Sequence, residues 1–469
     1  MNTVKRGKAW SLLGAFATVA LALSGCGKAS TDEPSTDATQ SSQTVTTPSS
    51  DTYFTTDEVH SIDIDLDQAD YEAMLTTYAE TGDKEWVTVT ATIDGNTFED
   101  VGLRLKGNSS LRTALATSRG IELSEEDLEN EGSDSGDSSS DAAAPETIPW
   151  LIRLNKYVDG QNYLGRYDFV VRGNDTESSL NEAVAMAMLE EAGLATHRVA
   201  FTAFSVNGSE AKLRLVSEVP DDELWNEDWF GTEGATWKAD SDGDWDYHGE
   251  DGAEYEAIWK QRTGEDDMTP IVEFMDFINN SSDETFEDSL GEYLDLDQFA
   301  KYLAVEDMIN NWDTISGMGN NGYLHYDPST GMMTLIAWDH DRAFESHGAG
   351  MGGMPGDGGG GVGGGPGGAP GTNAPGDNAP DGNAAGARGS NILETRFRAS
   401  DTFMEMYNKA YAELTVSLID SGFAQDVLDQ YTELLITQAS DLVSPDTVES
   451  DAKVISNQLT SDKEEAKTA

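Results

Sequence analysis

Three stretches of this chain read as excluded from any hydrophobic core, and they decide which parts can fold. Ser30 to Thr52 is built from Ser, Thr, Asp and Pro; Thr113 to Ile148 turns acidic and serine-rich; Gly348 to about Gly389 is dominated by Gly, Pro, Ala and Asn. Segments of this kind bury too little apolar surface to offset their ordering entropy. They read as a tether (26–52), an acidic excursion (113–148) inside a domain spanning 53–347, and a linker (348–390) leading to a helical part (391–469) of the same domain. The linker is not collagen-like, because its glycines do not recur strictly at every third position.

The first residues read as an export signal. Lys5, Arg6 and Lys8 precede an apolar stretch from Ala9 to Leu23 that is too short for a lasting membrane span. Leu23-Ser24-Gly25-Cys26 has the small residues and cysteine of a bacterial lipobox, so residues 1–25 are expected to be removed and Cys26 lipidated. It is the one cysteine of the chain, which rules out an intramolecular disulfide. The expected location is the outer face of the cell membrane, reached only through the lipid anchor. The formal charge of −59 becomes −62 once the three signal cations are removed. Such a field disfavours nucleic acid and anionic lipid as partners, and an anionic ligand would need local cations or metal to bind.

Periodicity predicts a mixed chain. Val59 to Leu66 and Val87 to Ile93 alternate apolar and polar residues as half-buried strands do, with Asp94-Gly95-Asn96 as a hairpin turn. Further strands are expected at Val101 to Leu105, Trp150 to Leu154 and Tyr167 to Arg172. A hairpin is expected at Val199–Val206 and Ala211–Val216, and another at Gly322–Tyr326 and Met333–Trp338. Ser178 to Ala192 has helical spacing and stops at Gly193; Gln298–Asn311 and Thr402–Val443 are helical as well. Strands with one helix followed mostly by helices suggest an α+β domain with two lobes.

Chemistry concentrates in Val305 to Phe344. Asp313 follows a helix, Asn320 and Asn321 precede a strand, and Asp339 and Asp341 follow its partner strand. A hairpin brings its ends together, so these groups can converge. Phosphoryl transfer needs a carboxylate for the hydroxyl proton and oxygen ligands for a divalent metal; the alternative is aspartates that merely cap secondary structure. Asp240 to Asp246 is a poor calcium loop, since Trp245 stands where an EF-hand needs Gly and Asp251 where it needs Glu. His340 lacks a closely spaced histidine partner and any cysteine, which argues against zinc. The Trp and Tyr residues could line a glycan surface, but they fall largely within expected strands and helices, where such residues are more often core.

Several motifs in order resemble the spore-coat-protein-H (CotH) family of secreted kinase-like proteins, in its lipid-anchored branch. They are Val101-Gly102-Leu103-Arg104-Leu105-Lys106-Gly107-Asn108-Ser109-Ser110, Leu154 to Gln161, Trp237-Lys238, Asn311-Trp312-Asp313, Asn321, Tyr323-Leu324 and Trp338-Asp339. The resemblance implies an atypical two-lobed protein-kinase-like fold, strand-rich first and helical towards its end. It implies ATP with Mg²⁺ or Mn²⁺ and transfer to Ser or Thr of exported or cell-surface proteins. On that pattern Asp313 is the catalytic aspartate, and Asp339, Asn321 and Asp341 are metal ligands. Arg104, Lys106, Arg153 and Lys238 face the nucleotide, and Glu182 holds a basic residue against it. Glu218 matches a family glutamate. Only Arg153 is basic where relatives carry lysines, and Arg166 to Arg172 departs from their wording. The alternative is therefore a catalytically degenerate kinase fold serving as a cell-surface binding or adhesion module.

Overall fold

Strands that alternate buried and open positions close here into a barrel. The computed structural model describes residues 52–108, 110–112, 115, 143–174, 176–240, 244–316, 319–345 and 391–466. The signal, nearly all of the tether, most of the acidic excursion and the Gly/Pro-rich linker lie outside them. Strands β1 (His60–Asp65), β2 (Val87–Ile93), β3 (Asn96–Leu105), β4 (Trp150–Arg153), β5 (Asp168–Val171), β6 (Val199–Val206) and β7 (Lys212–Ser217) form a closed barrel of order β1-β2-β3-β4-β5-β7-β6. The β1–β6 pair is parallel and every other pair antiparallel. Closure leaves no unpaired edge. Val101, Leu103 and Leu105 of β3, Trp150 and Ile152 of β4, and Phe169 and Val171 of β5 point inward into one apolar cluster. Leu151 and Val170, at the alternate positions, are buried from the outside.

What covers that outer face is a second sheet. β8 (Ala235–Ala239), β9 (Trp259–Thr263), β10 (Gly322–Asp327) and β11 (Met332–Ala337) form an antiparallel sheet of order β11-β10-β8-β9. Tyr323, Ile336 and Trp338 pack with Leu151 and Val170 of the barrel. Trp237, Leu324, Leu335 and Ala337 lie in the large cluster formed with the helices. Those helices are α2 (Leu180–Glu191), α4 (Thr269–Asn280), α5 (Asp283–Ser289), α6 (Leu296–Met308), α7 (Ile392–Ala399), α8 (Asp401–Leu414), α9 (Phe423–Gln438) and α10 (Pro445–Ala466). α1 (Gln68–Thr81) and α3 (Glu223–Phe230) complete the set. The fold is α+β, as the sequence suggested. No helix among the described residues is long and apolar enough to cross a membrane.

The expected strands and the Ser178–Ala192 helix appear within a residue or two of their predicted bounds, except β3, which begins at Asn96 rather than Val101. Asp94 (φ 47°) and Gly95 (φ 77°) make the tight turn before it. The β2–β3 register shifts between Val89 and Ala91, opposite Glu99 and Asp100 in the middle of β3. Helix α1 was not foreseen from periodicity, because it buries only Tyr71, Met74 and Leu75. Its signals are at its ends: Asp67 accepts from the Ala69 and Asp70 amides, and Gly82 closes it in a left-handed conformation. Most of the described tryptophans are core: Trp150, Trp225, Trp237 and Trp259 are fully buried, whereas Trp86 and Trp312 are half-buried and Tyr157 is exposed.

Candidate functional site

Register assembles the site from both sheets. Gly322 pairs with Ala337, so Asn320 and Asn321 share one end of the β10–β11 hairpin with Trp338 and Asp339. Lys238 of β8 pairs with Tyr323 of β10, and Tyr323 faces the barrel. On the barrel, Arg104 pairs with Leu151, and Arg153 pairs with both Gly102 and Asp168. Arg104, Arg153 and Asp168 therefore share the outer face with Leu151's row, and Lys106 continues it beyond the end of β3.

Arg172, just after β5, is the centre of the arrangement. Its Nε stands 2.8 Å from Glu182 Oε1 on α2, its Nη2 donates to Asp339, and Asp341 lies at 4.0 Å. Burial disfavours the Arg172 charge, but Glu182, Asp339 and Asp341 outweigh it and hold the guanidinium protonated. Burial likewise pushes the Asp339 carboxyl up, while Arg172 and Lys238 bring it below its ordinary range. Asp339 keeps 30 % of its side chain exposed, so it still faces an opening. Its φ of 71° is left-handed, a conformation Asp and Asn tolerate best among residues with a side chain.

Two lysines complete the polar face. Lys238 donates to the carbonyls of Asn320 and Ala239 and lies over the Tyr323 ring. Burial, with nearby Lys106, lowers its pKa to about 7. The Lys106 ammonium lies 5.4 Å from the Trp338 ring, and burial lowers its pKa to about 8, against the pull of Asp221. Asp221 accepts from the Tyr323 hydroxyl at 3.0 Å and sits 3.5 Å from Arg262. Positive charge thus gathers between barrel and sheet in a chain of 28 cations and 87 acidic residues.

The loops bearing Asp313 and Asp339 are tied together. Asn311 accepts from the Asp313 amide at 3.2 Å, and Asn321 donates to the Asp313 carbonyl at 2.7 Å. Buried Glu306 accepts from Asn311 at 2.9 Å with one oxygen and lies 2.8 Å from His340 Nε2 with the other. The Phe344 amide donates to the Ile309 carbonyl at 2.6 Å.

The structure thus brings Glu182, Asp339 and Asp341 onto Arg172, and Asn321 onto Asp313, with Lys106 and Lys238 alongside. Arg104 and Arg153 gather with Lys156 on Trp86, and Arg153 also pairs with Asp168. The basic partner anticipated for Glu182 is Arg172, a residue the sequence reading did not single out. Glu218 is not among the partners of Arg172; it is fully buried between Arg166 (2.6 Å) and Arg198 (2.9 Å). Of the acidic loop, residues 241–243 lie outside the described ones, and Asp244 pairs with His248 at 2.8 Å.

Among the described residues no three His, Cys, Asp or Glu side chains converge as a metal cage. What the residues around Arg172 offer is Asp339 and Asp341, hard oxygen donors beside a cationic face. That set fits Mg²⁺ or Mn²⁺ held by one or two carboxylates together with phosphate oxygens.

No curated protein matches the chain. The family described as CotH kinase protein matches residues 139–447, about two-thirds of the length, which takes in Arg172, Glu182, Lys238, Asp313 and Asp339 and leaves the Val101–Ser110 motif outside. With that match over the residues that build the cleft, the chain belongs to the CotH kinase family.

Proposed function

We propose that this protein is an atypical protein kinase, with the barrel as its first lobe and the second sheet with its helices as the other. It would take ATP with Mg²⁺ or Mn²⁺ and phosphorylate Ser or Thr of exported or cell-surface proteins from a lipid anchor at Cys26. The observation that carries the reading is Arg172, one buried guanidinium shared by a helix glutamate and the aspartates after β11. Kinases use such a helix-held cation against the phosphates, next to a metal-binding carboxylate. Glu182 fixes the orientation of Arg172, whose planar fork can clamp phosphate oxygens. Lys106 and Lys238 add charge at the same end, while Arg104 and Arg153, expected at the nucleotide, gather on Trp86 instead. Asp339, with Asp341 and the amide oxygen of Asn321, would hold the divalent metal, which when bound neutralises the phosphates and orients them. Asp313 would position the acceptor hydroxyl and receive its proton.

The test is incubation of the purified chain with labelled ATP, Mn²⁺ and exported proteins. Label should enter Ser or Thr and be lost in Asp339→Asn and Asp313→Asn. A second reading is a degenerate kinase fold that binds a surface ligand. It is favoured by the Leu151, Val170, Tyr323 and Ile336 cluster, which is at most 1 % exposed and leaves no space among those side chains for a base. Absence of ATP binding with any of several divalent metals would select it.

A further inference from the structure

Trp86, the residue before β2, carries three cations on its ring. The Arg104 guanidinium is 4.8 Å from the centroid, the Lys156 ammonium 5.0 Å and the Arg153 guanidinium 5.5 Å. Each cation–π contact is attractive, while like charges drawn together repel. Arg153 has a carboxylate, Asp168. Among the described residues Arg104 and Lys156 form no ion pair, and Arg104 Nε is buried with no hydrogen-bond partner. The carboxylates that act on Arg104 are Asp221 and Asp168, neither of them hydrogen-bonded to it, and Lys156 is exposed at the edge of the cluster.

The cluster is closely packed around Gly102 of β3. A Cβ there would stand 2.6 Å from Lys156 Cβ and 3.0 Å from Trp86 Cε3, so the aromatic ring and the lysine stem close over bare backbone. Beyond Lys156 the chain exposes Tyr157 (47 %) and Val158 (39 %). Aromatic and arginine side chains beside accessible apolar surface are the composition of binding hot spots.

We infer that Trp86, Arg104, Arg153, Lys156 and Tyr157 form a docking surface for an acidic segment of a partner polypeptide. Charge complementarity selects the occupant: unpaired guanidinium and ammonium groups take carboxylates, and the exposed tyrosine supplies apolar contact. The chain's overall negative field is largely screened beyond about 8 Å at physiological salt. The local cluster then decides binding. This surface goes beyond phosphoryl transfer, since docking there needs neither nucleotide nor metal.

The test titrates the full chain, without nucleotide, into a fluorescein-labelled oligoglutamate peptide containing one central tyrosine, and into its oligoglutamine counterpart, by anisotropy. The glutamate peptide should bind about tenfold more tightly or better, a difference of about 1.4 kcal/mol. Lys156→Glu, at an exposed position, and Trp86→Leu should each remove that preference while ATP–Mn²⁺ titrations stay unchanged. Equal binding of the two peptides, or full affinity in Lys156→Glu, would overturn the proposal. Displacement of the peptide by ATP–Mn²⁺ would assign the cations to the nucleotide and overturn it too. Binding only after deletion of residues 116–142 would make the chain's own acidic segment the occupant in place of a partner. Failure of ATP to bind, with peptide binding intact, would count against the kinase reading alone.

Discussion

Glu306 joins two loops with one carboxylate: His340, next to Asp339, lies 2.8 Å from one oxygen, and Asn311, which caps the Asp313 amide, lies 2.9 Å from the other. All three side chains are at most 9 % exposed. Glu306→Ala would leave two buried polar groups without their partner, at about 1–3 kcal/mol each. We expect a loss of about 2–5 kcal/mol in urea unfolding. Under conditions where the variant stays folded, turnover should fall more than nucleotide affinity, because the separation of Asp313 from Asp339 is what loosens. Glu306→Gln keeps the volume but can accept from only one partner through its oxygen, so an intermediate loss is expected.

Arg172→Lys keeps a positive charge but cannot reach Glu182 and Asp339 with separate nitrogens of one rigid plane. ATP–Mn²⁺ affinity should drop about tenfold or more, or about 1.4 kcal/mol, with modest loss of stability. Arg172→Met leaves Glu182 buried without its cation and should cost about 3–5 kcal/mol in unfolding free energy. If Arg172→Met matched the parent chain in both measurements, Arg172 would be a bystander.

The way Arg172 escaped sequence reading explains what was legible. β2 was placed to the residue because Val87–Ile93 alternates cleanly, and the Asp313, Asn321 and Asp339 positions followed from a hairpin whose two halves are local. Arg172 acquires meaning only through partners 10 and 167 residues away, and no spacing rule encodes the second of these. β9 (WKQRT) was missed because it is a mostly polar strand at the end of its sheet order, with Trp259 as its one buried residue. α1 was missed because its burial is sparse. The three cations on Trp86 arrive from two segments, β3 and the end of β4 with the turn after it, and Trp86 itself from a third, so composition gave no hint of them.

Lys106 makes the site pH-sensitive. Its folded pKa, about 8, lies below the ordinary 10.5 because of burial, so the folded chain binds fewer protons than the unfolded chain between those values. Stability contributed by this group therefore rises with pH from about 8 to 10.5 and is flat below. Phosphate binding works in the opposite direction, since the ammonium is the form that attracts it. ATP–Mn²⁺ affinity should weaken as pH rises from about 7 to 9, with proton uptake seen as a dependence of calorimetric heat on buffer ionisation enthalpy. Lys106→Met should remove its share of that uptake and leave the share of Lys238, whose pKa is lowered to about 7 on the same face. Uptake that is the same in parent and variant would assign the proton elsewhere.

Asp339 and Asp313 should separate binding from turnover. Asp339 stands at φ 71° beside Arg172, and Asn is the residue that best tolerates that backbone after Gly. Asp339→Asn therefore keeps shape and conformation while removing one charge from the pair with Arg172 and from the metal ligand set. The fold should survive, with ATP–Mn²⁺ binding weakened and phosphoryl transfer lost, because charge neutralisation in the transition state is usually the largest catalytic contribution. Asp313 is anchored through its backbone, its amide by Asn311 and its carbonyl by Asn321, so changing its side chain leaves these two hydrogen bonds in place. Asp313→Asn should keep metal-dependent nucleotide affinity within about threefold, or about 0.7 kcal/mol, and still suppress transfer, since its task is the acceptor hydroxyl. Calorimetric titration of ATP with Mn²⁺ into the parent and both variants checks the contrast. Equal binding by all three would remove Asp339 from the metal site, and weakened binding in Asp313→Asn alone would exchange the two assignments.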